Sequence, residues 1–260
     1  MNRQLPGPLR CAAMGAVLVV AMPLISLLWR APWGDLPRLL TTDVVADALL
    51  MSVTTSICAA LVALTIGTLV ALQLSKMSGV AASTLRAVAT LPMILPPVVG
   101  GAALLFAFGR NGLIGQVLDD TTGLVLPYSP VGVIMANAFV ATPFVVLTIE
   151  SGLRSLDPRF ELAAASLGAT PLRTTVCVTL PMIRPSIVAG AFLAWARALG
   201  EFGATITFAG NIPGRTQTLP LAVFVAMQED RGAAIAMSLL LVLVSLTVLI
   251  ALRDRWWPAK

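Results

Sequence analysis

Two charged residues, Arg197 and Glu201, stand inside an otherwise apolar segment that runs from residue 185 to residue 214. Their i, i+4 spacing would place both side chains on one face of a helix, where they could form an ion pair. Either charge would cost about 2.5–3.5 kcal/mol at the centre of a lone membrane helix, so both should face protein or water. Two interpretations remain open: a structural pair that holds its helix in a bundle, or groups that line a polar path or its gate.

Composition excludes most other chemistry. The chain has no histidine, which excludes imidazole-ligated zinc, haem held by histidine, Ser-His-Asp triads and histidine proton relays. Cys11, Cys58 and Cys177 lie far apart in or beside apolar runs and are expected to be packing residues. The two lysines, Lys76 and Lys260, do not follow the glycine that a phosphate-binding G-x-x-x-x-G-K-[ST] loop requires. We therefore predict no catalytic residue, no metal site and no nucleotide site on this chain.

The amino-acid composition indicates that water is not the main solvent of this chain. Its 260 residues are 58% hydrophobic and 11% charged, and the mean hydropathy is +0.93. Soluble domains carry about 25% charged residues. Crossing a hydrocarbon core takes roughly 20 apolar residues, so the chain has room for several spans and little room for a separate soluble domain. The predicted fold class is an all-α integral membrane protein.

Six transmembrane helices are predicted from the stretches that carry no charge, or only the Arg197 and Glu201 pair. The predicted spans are 11–29, 48–75, 87–109, 131–149, 185–209 and 232–252. The third span contains Pro92, Pro96 and Pro97, which should kink or unwind its start. The first span is longer than the core of about 7–15 residues in a secretory signal peptide, so we assign it as a membrane helix.

The distribution of lysine and arginine predicts that both termini face the cytoplasm, because positive residues are retained on that side. Six spans place the termini and the second and fourth loops on one side, which holds eleven positive residues against five on the other. The eleven are Arg3, Arg10, Lys76, Arg86, Arg154, Arg159, Arg173, Arg184, Arg253, Arg255 and Lys260; the five are Arg30, Arg38, Arg110, Arg215 and Arg231. The isoelectric point near 9.9 then follows from topology, without a nucleic-acid partner.

The loop 150–184, between the fourth and fifth spans, is the least lipid-like part of the chain. Asp157-Pro158 and Thr170-Pro171 are typical helix starts, and Gly168 is a typical helix stop. Leu180-Pro181 is expected to end the second helix. Each helix has an apolar face, formed by Phe160, Ala163, Ala164 and Leu167 in the first and by Leu172, Val176 and Leu180 in the second. The pattern predicts a cytoplasmic helix pair that either rests on lipid headgroups or docks a partner.

Residues 161–169 read ELAAASLGA, and Val178-Thr179-Leu180-Pro181 follows nine residues after Gly168. This loop resembles the EAA loop of binding-protein-dependent ABC importer permeases. The family pattern reads Glu-Ala-Ala, three residues, Gly, nine residues, Ile-x-Leu-Pro. The sequence departs from it at one point, since strict register places Leu162 where the family has its acid and Glu161 one place earlier.

The resemblance implies that this loop forms the coupling helices, which insert into a groove on a separate ATPase subunit and transmit its closure to the membrane helices. The residues that would serve this role are Phe160, Glu161, Leu162, Ala163, Ala164, Leu167, Gly168, Leu180 and Pro181. The resemblance also implies that ATP and Mg are bound by the partner ATPase and that this chain binds no cofactor.

Two further stretches, GEFGATITFAGNIPGRTQTLPLAVF at 200–224 and the segment 91–115, are similar to the molybdate subgroup of these permeases. Sulfate and thiosulfate permeases carry a related run, commonly with Tyr where this chain has Phe202. The resemblance therefore implies import of molybdate, from which tungstate is not separable, with sulfate or thiosulfate as the alternative. In such a permease Arg197 and Glu201 would either brace the bundle or line the anion path or its gate.

Isolated polar residues elsewhere admit plainer roles. Asn211, Arg215 and Thr216 lie in a glycine- and proline-rich external stretch, which is either an irregular connection to the last span or a docking surface for a substrate-delivering protein. Asn137 and Thr142, in the fourth span, are expected to make hydrogen bonds between helices rather than to bind a ligand.

The implied assembly is a homodimer in the plasma membrane of a prokaryote, surrounded by lipid. Its partners would be a cytoplasmic ABC ATPase and an extracytoplasmic molybdate-binding protein. The predicted organisation is a stub, first helix and external loop at 1–47, the importer transmembrane domain at 48–252, and a short cytoplasmic tail at 253–260.

Two other functions were weighed against the importer. A secondary anion transporter or channel predicts duplicated hydropathy halves or coupling-ion carboxylates within spans, and an intramembrane enzyme predicts a facing nucleophile and base. The sequence shows no repeat, and Glu201 is the one acid inside a predicted span.

Overall fold

The computed structural model describes residues 6–256, and every regular element within them is helical. The longer helices are α1 (Gly7–Trp29), α3 (Asp43–Lys76), α4 (Gly79–Ile94), α5 (Pro97–Phe108), α7 (Pro130–Ser155), α11 (Arg184–Leu199), α13 (Leu219–Glu229) and α14 (Arg231–Trp256). The shorter helices are α2 (Leu36–Leu40), α6 (Gly115–Thr122), α8 (Arg159–Ser166), α9 (Pro171–Thr174), α10 (Leu180–Met182) and α12 (Gly203–Phe208). A π-helical turn, Thr175–Thr179, joins α9 to α10. The all-α prediction is confirmed.

Three helices, α1, α3 and α7, are long and apolar enough to cross a membrane. Two bent pairs raise the number to five if each pair forms one span: α4 with α5, at 116°, and Pro171–Met182 with α11, at 73°. The chain is therefore a multi-pass membrane protein. The last apolar helix, α14, coincides with the sixth predicted span, but the count of six and the domain boundaries stay predictions. Residues 253–256 of the predicted tail 253–260 belong to α14, and the other four lie outside the described residues.

The third predicted span, 87–109, is unwound near its start, as its proline cluster predicted, and the break divides it into two helices at 116°. Helix α4 ends at Ile94, and Leu95 takes an extended conformation, which is the usual preference of a residue before proline. Pro96 then precedes α5, which begins at Pro97 in a position that needs no backbone N–H donor. Pro92 lies inside α4 without ending it.

The predicted fifth span, 185–209, is also broken, since α11 ends at Leu199 and α12 begins at Gly203. The carboxylate of Glu201 accepts a hydrogen bond from the backbone N–H of Ala204 at 2.7 Å, which caps the new helix. Helix α13 was not predicted at all. Its eleven residues are too short to read as a span, and Pro220 in its first turn resembled a loop signal.

Small residues let α3, α7 and α11 approach closely, as is usual between membrane helices. A Cβ placed on Gly67 of α3 would lie 2.7 Å from the Cβ of Val145 on α7. A Cβ on Gly152 of α7 would lie 2.7 Å from the Cβ of Ser186 on α11. Ala59 and Ala63 are fully buried in the same cluster.

Two smaller clusters complete the packing. Helices α5 and α12 lie against each other, and a Cβ on Gly101 would lie 2.6 Å from the Cβ of Thr207. Leu104 and Phe208 are buried beside them. Helices α13 and α14 pack together and against the start of α3 around Leu219. The short helices are thus held by protein contacts instead of lying free in lipid.

The outer surface of the bundle is apolar. Helix α1 contributes no buried residue, which suits a helix surrounded by lipid. Cys11, Cys58 and Cys177 are free and exposed, so the expectation that they pack inside the chain was wrong.

A charge cluster joins α4 to α7. Glu150, which is 4% exposed, accepts hydrogen bonds from Arg86 of α4, at 2.6 Å from Nη2 and 3.1 Å from Nε. Arg154, one turn along α7, donates to the same carboxylate at 2.9 Å. The Arg86 contact is the one that connects two helices, because Arg154 belongs to the same helix as Glu150.

Replacing Glu150 by alanine is expected to lower the free energy of unfolding by about 2 kcal/mol, because two guanidinium groups lose a buried acceptor. Arg154→Ala is the matched control. Its side chain is 64% exposed and its bond lies within α7, so the expected loss is about 0.5 kcal/mol. Thermal unfolding in detergent measures both. Equal losses of unfolding free energy in the two variants would contradict the conclusion that the contact of Arg86 with Glu150 holds α4 against α7.

Candidate functional site

The helix pair α8 and α9 is built by local signals of the predicted kind. Asp157 Oδ1 accepts from the backbone N–H of Arg159 at 2.9 Å, and Thr170 Oγ1 accepts from that of Arg173 at 3.4 Å. Between them the chain reverses at Gly168, whose φ is +80°. The N–H of Ala169 donates to the carbonyl oxygen of Ala164 at 3.0 Å, which closes the left-handed helix end that glycine favours.

The pair presents large apolar side chains to its surroundings. Leu167 is 88% exposed and Leu162 is 66% exposed, values that are typical of a surface covered by another molecule. The other exposed apolar side chains of this surface are Phe160, Leu172 and Val176. Ala163 is exposed and Ala164 half-buried. We call these seven residues the α8–α9 surface.

Glu161 does not belong to that surface, because its carboxylate turns back toward the membrane helices. Lys76 Nζ, at the end of α3, lies 2.7 Å from Glu161 Oε2. Thr179 Oγ1 donates to Glu161 Oε1 at 2.8 Å. Of the neighbouring residues Glu161 and Leu162, the one that faces outward is therefore Leu162, which occupies the position of the family acid.

The electrostatics of Glu161 keep it ionised. The hydrogen bond from Lys76, and then that from Thr179, hold the pKa of the Glu161 carboxyl below its ordinary value, while partial burial opposes them. A lowered pKa means that the pair stabilises the fold above the ordinary pKa of glutamate and loses that contribution as pH falls through the lowered one. The pair is intact at neutral pH.

The predicted helix end at Leu180-Pro181 was wrong. Helical backbone continues from α9 through the π-helical turn and α10 to Met182, and the bend lies at Ile183. The backbone N–H of Leu180 donates to the carbonyl oxygen of Thr175, five residues earlier. This wider turn lets Pro181 enter the first turn of a renewed helix, where it needs no N–H donor. Leu180 is half-buried and Pro181 is exposed.

Arg197 and Glu201 form the predicted ion pair, with Nη1 and Oε2 2.5 Å apart. The side chain of Glu201 is 1% exposed, and that of Arg197 is 29% exposed. The other oxygen of Glu201 caps α12 at Ala204, so one carboxylate fastens two helix ends across the break. This arrangement favours the structural interpretation for Glu201, and Arg197 is the member of the pair that reaches the protein surface.

A cavity of about 760 Å³ lies open between α7 and α11. Its polar lining residues are Thr148, Ser151, Arg184 and Ser186, and the rest of the lining is apolar. Neither Arg197 nor Glu201 lines this cavity. The predicted path residues and the cavity therefore occupy different parts of the chain.

The three residues of the stretch predicted to be external differ in exposure. Arg215 is exposed, whereas Thr216 is fully buried and its Oγ1 accepts from the backbone N–H of Ile212 at 2.9 Å. Asn211 is half-buried, and its Oδ1 is a buried acceptor without a partner in the described chain. Thr216 therefore shapes the turn and cannot contact a docked protein, so the three residues do not form one surface.

Polar residues inside the bundle connect helices. Thr205 Oγ1 of α12 donates to Asn137 Oδ1 of α7 at 2.9 Å, so the interhelical role predicted for Asn137 is confirmed. Thr142 instead donates to the carbonyl oxygen of Ala138 in its own helix. Ser52 of α3 accepts from the backbone N–H at the start of α13 at 2.6 Å, a contact that no local pattern in the sequence marked.

The family described as the binding-protein-dependent transport system inner membrane component matches residues 63–256. This chain belongs to that family. The molybdenum transport system permease protein ModB of Mycobacterium tuberculosis is 42% identical over 243 residues, covering 94% of this chain and 92% of ModB. The sulfate transport system permease protein CysT of Salmonella typhimurium is 34% identical over 258 residues, covering 96% of this chain and 93% of CysT.

The fold has a solved counterpart. A bacterial ABC transporter involved in the import of the acidic polysaccharide alginate superposes with a TM-score of 0.76, at 17% identity, covering 97% of this chain and 96% of the other. At that identity the likeness concerns the fold alone.

Proposed function

We propose that this chain is the membrane-spanning permease subunit of an ABC importer that moves molybdate into the cytoplasm. Tungstate, an oxyanion of the same shape and charge, is an equivalent cargo. The observation that carries the proposal is the exposed α8–α9 surface in a chain that is 42% identical to a molybdenum permease over nearly its whole length. An apolar surface of this kind in water requires a partner.

The partner proposed for the α8–α9 surface is a cytoplasmic ABC ATPase subunit, which would bind ATP and Mg. Both termini of this chain would then lie in the cytoplasm, as the distribution of positive residues predicts. A second copy of the chain would complete the membrane domain as a homodimer. An extracytoplasmic molybdate-binding protein would deliver the anion on the opposite side, where Arg215 is exposed.

In this proposal the α8–α9 surface is a rigid projection that the ATPase moves when it closes. Leu162 and Leu167 would occupy an apolar groove, and Gly168 would keep the two short helices at their angle. The resulting tilt of the membrane helices would open the dimer outward to receive the anion. Release into the cytoplasm requires weak binding along the path, so no tight anion site is needed.

The function is tested in proteoliposomes that contain this chain, its ATPase and its binding protein. We expect radioactive molybdate to accumulate only with ATP, unlabelled tungstate to compete and sulfate to have little effect. Competition by sulfate as strong as that by tungstate would assign the chain to sulfate instead. Accumulation driven by an ion gradient in vesicles that lack the ATPase would contradict the proposal and support a secondary transporter.

A further inference from the structure

Glu161 contacts its own chain at two points that lie 85 and 18 residues away in sequence. One point is Lys76, the last residue of α3, and the other is Thr179, the last residue of the π-helical turn. In strict register the family acid falls at Leu162, and Glu161, one place earlier, is the nearest acid to that position. Here both of its oxygen atoms are engaged inward.

We propose that Glu161 is a positioning residue that ties α8 to the ends of two membrane helices, so that a displacement of α8 moves α3 and α11 together. This inference rests on the proposed function, because it concerns how motion of an ATPase reaches the membrane. It assigns to Glu161 a role inside the chain in place of a contact with the partner.

The position of α8 depends on few contacts. None of its eight residues is buried in the described chain, and its larger apolar side chains point outward. The elements that it contacts most are α9 and the π-helical turn. The two bonds of Glu161 are thus the specific polar links between α8 and the rest of the bundle that the structure shows.

The two partners of Glu161 lead directly into the membrane. Lys76 ends an unbroken helix of 34 residues that packs along both α7 and α11. Thr179 is buried, and its π-helical turn continues into α10 and, past the bend at Ile183, into α11. π-helical turns are frequent at functional sites, and this one stands between the contact with α8 and the start of α11.

The geometry is tested first on the isolated chain in detergent by carbodiimide cross-linking and peptide mass spectrometry. Lys76 and Lys260 are the only lysines of the chain, so an amide bond between Lys76 and Glu161 would give a single diagnostic peptide pair. We expect that pair in the wild type and its loss in Glu161→Gln. Its absence from the wild type, or its replacement in the full complex by a bond between Glu161 and the ATPase, would overturn the inference.

The role is tested in the complete transporter with Glu161→Gln and Lys76→Met. Both variants are expected to retain the ATPase in the purified complex and to hydrolyse ATP, while the molybdate imported per ATP falls about threefold or more. The exchange Lys76→Glu with Glu161→Lys should restore part of this ratio. Glu229→Gln, which changes an exposed acid at the predicted external side, is the matched control and should leave the ratio unchanged.

The outcomes separate this inference from the proposed function. Loss of the ATPase from Glu161→Gln but not from Lys76→Met would show that Glu161 contacts the partner, and an unchanged import ratio in both variants would also overturn the inference. If the wild-type chain binds no ATPase, the proposed function fails. The cross-link between Lys76 and Glu161 would then still decide whether the two groups meet.

Discussion

Replacing Gly168 by aspartate is expected to release the ATPase from this chain while its membrane helices stay folded. A residue with a Cβ in the left-handed conformation costs about 1–2 kcal/mol, and Gly168 holds a φ of +80°. The new carboxylate would also lie at the C-terminal end of α8, where negative charge is unfavourable, and beside the apolar Leu167. Since 1.4 kcal/mol is a factor of ten in affinity, the co-purifying ATPase should fall about tenfold or more.

Gly123→Asp is the control for that experiment. Gly123 follows α6 with a φ of +69°, and a Cβ at either glycine would have no atom within 4 Å. The two substitutions therefore impose the same backbone strain and the same charge, on opposite predicted sides of the membrane. The measurement is the ratio of ATPase to permease after purification in mild detergent. Equal retention, or equal loss, in both variants would remove the α8–α9 surface as the docking site.

Replacing Glu201 by alanine is expected to destabilise the chain by about 3–5 kcal/mol, the usual effect of removing one member of a buried ion pair. The substitution would leave Arg197 without its carboxylate and the N–H of Ala204 without its acceptor. In detergent we expect a fall in the thermal unfolding midpoint of about 6–15 °C. The fraction of the protein that elutes as a single species in size-exclusion chromatography should fall with it.

The double variant Arg197→Leu with Glu201→Leu distinguishes the two interpretations of this pair. Without either charge no uncompensated group remains, so most of the lost stability should return. If the double variant is stable and still imports molybdate, the pair is structural. A stable double variant that binds the ATPase but imports nothing would place Arg197 in the anion path. Stability lower than that of Glu201→Ala would contradict the ion-pair account itself.

The helix pair α8 and α9 could be predicted from sequence because its signals are local. Thr170-Pro171 starts a helix and Gly168 ends one within two or three residues of the groups that they satisfy. The same holds for the ion pair of Arg197 and Glu201, since i, i+4 spacing defines a contact without knowledge of the fold. In these two cases the signal and its partner lie within one turn of helix, so spacing was sufficient.

The breaks in the third and fifth spans could not be read from hydropathy, which measures how long a stretch is and not its direction. Pro96 gave a hint of the first break. The second break depends on Glu201, whose carboxylate caps α12. In the sequence alone, an acid that caps a helix cannot be distinguished from an acid buried inside a straight span. Hydropathy therefore predicted one straight span at each place where the chain forms two helices with different directions.

Contacts between residues that are far apart in the sequence could not be predicted. Arg86 and Glu150 are 64 residues apart, and each stood at a predicted membrane boundary where charges are ordinary. The sequence placed Glu161 among the residues of the coupling loop. The direction of its side chain, however, depends on Lys76, which is 85 residues away. Thr216 is a different case, because its hydroxyl accepts from the backbone N–H of Ile212 only four residues earlier, and the sequence did not show that the turn would bury it.

The two breaks in the membrane helices lie side by side, since a Cβ on Gly203 would be 2.7 Å from the Cβ of Pro97. Helix α5 has 12 residues, or about 18 Å, which is too short to cross a hydrocarbon core of about 30 Å. Non-helical backbone at membrane depth is tolerated only inside protein or against water. The non-helical backbone of both breaks therefore has to be covered by protein or water at one shared place, because lipid cannot satisfy its N–H and carbonyl groups.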